Sequence, residues 1–343
     1  MKQAVLLVTV AVALALASCQ SPVTNPQSVT SSGGSLPLGQ GSGVTVYAAT
    51  ADGNGVLEYS GTATNWVSLN WSNFYSASNP YYYSASSNTT MVYPPVYDVT
   101  VNGGTVYAAT AAGLFVGSGS SWARYQQGLT LTGVSVSGNN VYLWGPVQTA
   151  SSFYGLGLLS TANLGTAPTP LVDSTHAANV TKWAALPSGY VAATSLGLYY
   201  SATASGSYTL AGYTGTALNA GAVNTVYAPG STLYVGTLLG FSTTSTTTPF
   251  SWTNNPGLGN VNDILVVGST IYLATTTGLT SYGNWQFSGV GVNNIVEGIT
   301  SSTFYFSNGS AGLAILQFDS SGNPYSTSVL TWANVSKVFV TFP

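Results

Sequence analysis

Thr105-Val106-Tyr107-Ala108-Ala109-Thr110, followed by Gly113-Leu114-Phe115-Val116, is the stretch that decides how this chain folds. Its pattern is apolar-Tyr-x-x-Thr, then glycine plus an apolar residue. The same pattern stands earlier as Val46-Tyr47-Ala48-Ala49-Thr50 with Gly55-Val56. Five more copies centre on Tyr142, Val191, Tyr234, Tyr272 and Tyr305. Their glycine-apolar pairs are Gly157-Leu158, Gly197-Leu198, Gly240-Phe241, Gly278-Leu279 and Gly312-Leu313. Around the second copy the chain alternates over Val96 to Val101, Thr105 to Thr110, Gly113 to Val116 and Ser121 to Tyr125. β-Branched and aromatic residues suit the pleat, and the glycines between segments supply positive φ. Four short strands repeated at roughly forty residues are the mark of a β-propeller. The expected fold is therefore all-β, a single seven-bladed β-propeller over residues 44–343.

The two ends of the chain complete one another. The first repeat has no inner strand of its own, because only a polar segment precedes Gly43. Asn334-Val335-Ser336-Lys337-Val338-Phe339-Val340 matches Asn260-Val261-Asn262-Asp263-Ile264-Leu265-Val266, an inner strand, in pattern. The C-terminal strand is thus expected to join the N-terminal blade and to close the ring, leaving no free sheet edge.

The N-terminus carries an address. Lys2 precedes an apolar run from Ala4 to Ala17, too short for a spanning helix and followed at once by small residues. Leu16-Ala17-Ser18-Cys19 resembles a bacterial lipobox, and Cys19 is the single cysteine of the chain. The resemblance implies cleavage before Cys19, a diacylglycerol on its sulfur, and a membrane partner through that anchor. Gln20 after the cysteine, rather than Asp, favours an outer membrane or cell surface. Residues 1–19 are then a lipoprotein signal peptide, and 20–43, rich in Ser, Thr, Pro and Gly, a flexible tether. The plainer reading is an ordinary secretory signal with an incidental cysteine.

Charged residues are 3% of the chain, against roughly 25% in ordinary soluble domains. Beyond Lys2 the basic side chains are Arg124, Lys182 and Lys337; the acidic ones are Asp52, Glu58, Asp98, Asp173, Asp263, Glu297 and Asp319. No basic patch exists, which argues against nucleic-acid binding. A surface with so few bases avoids self-repulsion in acid, where carboxylates lose their charge. An acid-exposed host is one expectation; compositional drift in a Ser/Thr-rich surface protein is the other.

The repeat unit resembles that of Asp-box or BNR-like propellers on Thr105 to Thr110, Gly113-Leu114-Phe115, Ser121-Trp122 and Gly128-Leu129. That group includes sialidases, xyloglucanases, sortilin-type receptors and photosystem assembly factors. The resemblance implies a propeller throughout. The Asp-box aspartate is missing, however: Gly61, Gly117, Thr247 and Thr280 stand five residues before Trp66, Trp122, Trp252 and Trp285. The boxes are degenerate, which leaves the fold and removes the subfamily.

Counting residues narrows the chemistry. A sialidase-like site holds its substrate with three arginines, and this chain has Arg124 alone. One His and no second Cys make a metal centre improbable, and no cofactor motif is present. His176 sits in a polar interblade segment without a convincing triad. Asp52-Gly53-Asn54-Gly55 and Asp319-Ser320-Ser321-Gly322-Asn323 read as tight turns rather than calcium loops. A glycosidase needs two carboxyls about 5–10 Å apart, for which Asp98 and Asp263 are the best pair.

Two groups of residues are candidate binding elements. Asp98, Lys182, Asp263 and Lys337 share one repeat position, the start of the inner strand, alongside Gly133, Thr225 and Asn294. In a propeller this position rings one mouth of the central channel. Lys337 is expected to neighbour Asp98, and Glu297 to lie deeper. The plain reading is a polar ring tying the blades together; the functional one is a ring facing a ligand. The second group is an insertion from Asn70 to Pro95 with Trp71, Phe74, Tyr75, Tyr81, Tyr82, Tyr83 and Tyr93. It emerges at the same mouth, where Asp52 and the segment holding Phe153 and Tyr154 join it. Planar aromatics among amides and hydroxyls suit sugar faces or a protein partner. The expected function is a non-catalytic envelope lipoprotein binding a polysaccharide or an envelope protein. The alternative is a carbohydrate-active hydrolase or lyase with a reduced carboxylate set.

Overall fold

The computed structural model describes residues 44–52, 55–60, 67–68, 82–85, 88–91, 94–119, 121–211, 221–247, 251–283, 285–288, 291–297, 303–307, 312–318, 324–331 and 334–341. Cys19, the tether, Trp71, Tyr75 and Tyr81 lie outside the described residues.

Seven four-stranded antiparallel sheets follow one another as blades. The second blade shows the unit: inner strand Val96–Asn102, then Thr105–Thr110, Gly113–Ser118 and the outer strand Ser121–Tyr125. The other complete inner strands are Gly133–Ser137, Val180–Leu186, Val223–Tyr227, Val261–Val267 and Asn294–Glu297 in blades three to seven. The first blade is built from both ends of the chain. Val335–Thr341 pairs antiparallel with Thr45–Thr50, register Thr45 to Thr341 through Ala49 to Lys337. The ring is closed as the repeat pattern requires.

The Tyr-x-x-Thr strand is buried on both faces because each face meets a different neighbour. Successive side chains of a strand point to opposite sides. Val106 and Ala108 pack with Ala49, Val56 and Val99 between blades one and two. Tyr107 and Ala109 pack with Val134, Val141 and Leu143 between blades two and three. The core is therefore a set of interblade seams, not one central cluster. The paired alanines stand where the blades draw together.

The Thr and Gly of the repeat form one turn. Thr110 Oγ1 donates to the Gly113 carbonyl at 2.8 Å and accepts from Ala112 N–H at 3.0 Å. Thr50, Thr194, Thr237 and Thr275 make the matching bond to Gly55, Gly197, Gly240 and Gly278 at 2.8–3.0 Å. Gly113 has φ +115°, and a Cβ there would come 2.5 Å from the Tyr125 carbonyl oxygen. Conformation and space both demand glycine.

The insertion is not wholly irregular. Tyr82–Ala85 and Asn88–Met91 pair as a short hairpin, separate from the blades. It lies between the outer strand of blade one, Val67–Ser68, and the inner strand of blade two. The sequence reading treats this segment as a loop, because its alternation is masked by a run of three tyrosines.

Candidate functional site

The polar ring forms, and five of the seven blades contribute to it by the same local device. In blades two, four, five and six the inner strand carries a register shift just before the ring residue: Val96/Asp98, Val180/Lys182, Val223/Thr225 and Val261/Asp263. Blade one has a shift at the corresponding place, where Ala49 pairs with Lys337 but Thr50 pairs with Val335. An extra residue in one strand is a β-bulge, which turns a side chain away from the regular pleat. The bulged side chains tie adjacent blades. Ser336 donates to the Val96 carbonyl at 2.6 Å, Thr181 to Val223 at 3.0 Å, Asn224 to Val261 at 3.1 Å and Asn262 to Val292 at 2.9 Å.

The ring residues add a second tie. Asp98 Oδ2 accepts from Val134 N–H of the next blade at 3.1 Å, and Oδ1 from Val99 N–H at 2.9 Å. Asp263 Oδ2 accepts from Ile295 N–H at 3.3 Å and from the Asn294 amide. Asn294 Oδ1 accepts from Val338 N–H at 2.9 Å. Asp263 Oδ1 takes Thr225 Oγ1 at 3.1 Å. Blade three departs in a compensated way. Gly133 holds its ring position because Trp144 lies over it; a Cβ would fall 1.8 Å from the indole. Trp144 Nε1 in turn donates to the Thr181 carbonyl of blade four at 3.0 Å.

The two lysines reach into the channel and converge on one carboxylate. Lys182 Nζ is 3.3 Å from Asp263 Oδ1, and Lys337 Nζ is 4.0 Å from Asp263 Oδ2. Lys337 stands beside Asp98 of the adjacent blade and its charge bears on that carboxyl, but its nearest carboxylate oxygen is that of Asp263, two blades away, because the Asp98 oxygens are turned onto backbone N–H groups. The charge states follow from these partners. Burial pushes the Asp98 carboxyl up, and Lys337, Lys182 and the two backbone N–H groups only partly offset it. Burial acts on Asp263 too, but Lys182, Lys337, Asn294 and Ile295 together hold it down to about 2. For Lys337, burial and then the like charge of Lys182 outweigh the two aspartates, lowering it to about 8. For Lys182, burial opposes the charge, yet Asp263, Asp98 and the remaining partners raise it.

The ring parts two cavities. One of about 420 Å³ lies on the side of the residues that follow the ring, walled by Val99, Trp183, Tyr227, Ile264, Ile295 and Phe339. One of about 130 Å³ lies on the other side, among the bulge residues Tyr97, Thr181, Asn224, Asn262 and Ser336.

Asp52 has a structural task. Its Oδ2 accepts from Asn334 N–H at 2.8 Å and so pins the start of the closing strand. Tyr82 and Tyr83 stand in the hairpin strand. His176 lies 2.8 Å from Asp173 Oδ1, which also accepts from Thr175 Oγ1 at 2.6 Å and from His176 N–H at 3.0 Å. This is an exposed turn cap, and those bonds from Thr175 and His176 hold Asp173 down to about 2. Arg124 Nε donates to the Ala112 carbonyl at 2.9 Å, bracing the outer strand of blade two. The bulges were the part missed in the sequence. Their signal is the doubled polar step in Asn262-Asp263, Asn224-Thr225 and Ser336-Lys337, which breaks strict alternation.

A seven-bladed propeller with a charged channel ring is the class that fold and site define. No family model and no curated protein matches this chain. Solved structures share its fold. The periplasmic gluconolactonase of Pseudomonas aeruginosa aligns at 10% identity, TM-score 0.59, over 88% of this chain and 99% of that one. A candidate 6-phosphogluconolactonase of Bacteroides fragilis aligns at 10% identity, TM-score 0.59, over 89% and 100%. The extracellular domain of a candidate hybrid two-component system of B. thetaiotaomicron aligns at 18% identity, TM-score 0.53, over 72% of this chain and 40% of that one. At these identities the likeness is one of fold.

Proposed function

We propose that this protein is a non-catalytic lipoprotein of the bacterial cell envelope, anchored through Cys19 at an outer membrane or cell surface. It binds a polysaccharide or another envelope protein at the mouth where the interblade segments arrive. The observation that carries the reading is the aromatic-rich insertion, with its hairpin Tyr82–Ala85 and Asn88–Met91, which follows the outer strand of blade one and precedes the inner strand of blade two in the chain. The commitments of Asp98 and Asp263 to backbone N–H groups of the next blade weigh against a hydrolytic pair. The test is binding of the full chain to a polysaccharide panel, beside a variant lacking residues 70–95. Binding lost with the insertion supports a glycan-recognition role. Binding that persists without it removes the insertion from the site.

A second reading, a carbohydrate-active enzyme, is favoured by one observation: Asp98 is a carboxyl raised by burial at the edge of a sizeable cavity. A raised carboxyl can serve as an acid. The gluconolactonase named among the fold relatives makes a sugar lactone the first substrate to try. Turnover abolished by Asp98→Asn would establish this reading; no turnover by the unaltered protein would end it.

A further inference from the structure

The ring is unbalanced in hydrogen bonding, though balanced in charge. A carboxylate offers about four acceptor sites. Asp263 fills them with Thr225, Asn294, Ile295 N–H and Lys182. Asp98 spends half of its own on Val99 and Val134 N–H. Each ammonium carries several donors. Lys182 uses one on Asp263 and lies within hydrogen-bond reach of Lys337, and Lys337 comes no nearer to a carboxylate oxygen than the 4.0 Å approach to Asp263, so donors remain on both. Both lysines and both aspartates line the 420 Å³ chamber, a volume within the range of small-molecule sites. Below the ring its walls are Val99, Val134, Ile264, Ile295 and Phe339, with Trp183. Trp183 cannot supply a polar contact there. Its Nε1 donates to Tyr208 Oη at 2.8 Å, and its ring stacks on Tyr142 at 3.9 Å. The chamber thus joins spare cationic donors at one end to an apolar body.

We propose that the channel of this propeller binds a small organic carboxylate, its oxygens on Lys337 and Lys182 and its apolar portion between Phe339, Trp183 and the aliphatic walls. The site lies on the inner side of the ring, and it does not rest on the glycan reading of the mouth. An oxyanion brings acceptors within reach of the lysines, as the Asp98 oxygens, turned onto backbone N–H groups, do not, and its charge is attracted to two partly desolvated ammonium groups. A neutral analogue of equal shape fills the same walls but leaves those donors unmatched.

The probe pair is phenylacetate and phenylacetamide, titrated calorimetrically into the full chain at neutral pH. Phenylacetate is expected to bind at least about tenfold more tightly than the amide, the scale of a charge-assisted hydrogen bond. Equal affinities, or no binding of phenylacetate at millimolar concentration, overturn the proposal. Both readings use the unaltered protein and need no variant to fold. Lys337→Met, which keeps an unbranched side chain one atom shorter and removes the charge, is expected to weaken phenylacetate about tenfold. Ser135→Phe, on the chamber wall away from the ring charges, is expected to abolish binding by occupying the space. Unchanged affinity in a folded Ser135→Phe protein would place phenylacetate elsewhere and reject the channel. Unaffected binding after deletion of residues 70–95 is expected, so failure here is distinguishable from failure at the mouth.

Discussion

Asp98 and Asp263 occupy the same repeat position in blades two and six, and both are buried, at 7% and 5% exposure. They titrate in opposite directions. Burial is the largest influence on each, so burial does not distinguish them. The difference lies in what surrounds the oxygens. Asp98 has two backbone N–H groups and the more distant charge of the lysines. Asp263 has a hydroxyl, an amide, a backbone N–H and two ammonium groups, one at 3.3 Å and one at 4.0 Å. A repeat equalises backbone position. It leaves each ring residue's chemistry to its neighbours, which belong to other blades.

The largest break in this comparison is removal of residues 334–343. That deletion takes away the inner strand of blade one, its cap on Asp52 and Lys337 itself. The truncated chain is expected to expose an unpaired strand edge and aggregate, as size-exclusion chromatography with light scattering would show. A monomer with normal melting would refute closure by this strand.

Next in size is Asp263→Ala. It leaves two partly buried ammonium groups without their carboxylate and orphans Thr225, Asn294 and Ile295 N–H. A loss of about 3–5 kcal/mol is expected, read by urea unfolding. Asp98→Ala orphans two N–H groups and is expected to cost less, about 2–3 kcal/mol. Equal losses would mean that the shared position, not the partners, sets the role.

Acid titration separates the two by sign. The Asp263 carboxyl is lowered in the fold, so its contribution is present above its ordinary value of 3.8 and is lost as pH falls through about 2. That contribution is about 2 kcal/mol. The Asp98 carboxyl is raised, so its favourable contribution is complete below 3.8 and is lost as pH rises through its folded value. As pH falls from neutral toward 3.8 the unaltered protein should gain stability relative to Asp98→Asn. Between pH 4 and pH 2 it should lose stability relative to Asp263→Asn. Melting curves of the three proteins across that range test both signs.

The same comparison shows what could be read from the chain beforehand. Blade count, closure and the common position of Asp98, Lys182, Asp263 and Lys337 were legible because each is a matter of period. Period records which backbone positions are equivalent. It does not record reach. Lys337 does stand beside Asp98, its neighbour in blade order, and acts on it by charge, yet its long side chain comes closest to Asp263, two blades away. The bulges were likewise hidden, since Val261-Asn262-Asp263-Ile264 can be read as a strand with one polar step too many. The hairpin at Tyr82–Ala85 escaped notice because Tyr81-Tyr82-Tyr83 shows no alternation.

The smallest effect sharpens the comparison most. Thr225→Val keeps shape and removes one neutral donor from Asp263 Oδ1, at 3.1 Å. The expected cost is about 1 kcal/mol, and the Asp263 carboxyl should move up toward the behaviour of Asp98. Asp98 itself should be indifferent, because neither of its bonds involves Thr225. Carboxyl titration by NMR can follow both residues in one sample. Movement of Asp263 alone would show that its low value is assembled from individual donors. Movement of both would mean that the two aspartates share one field through Lys182 and Lys337, so that the ring titrates as a unit.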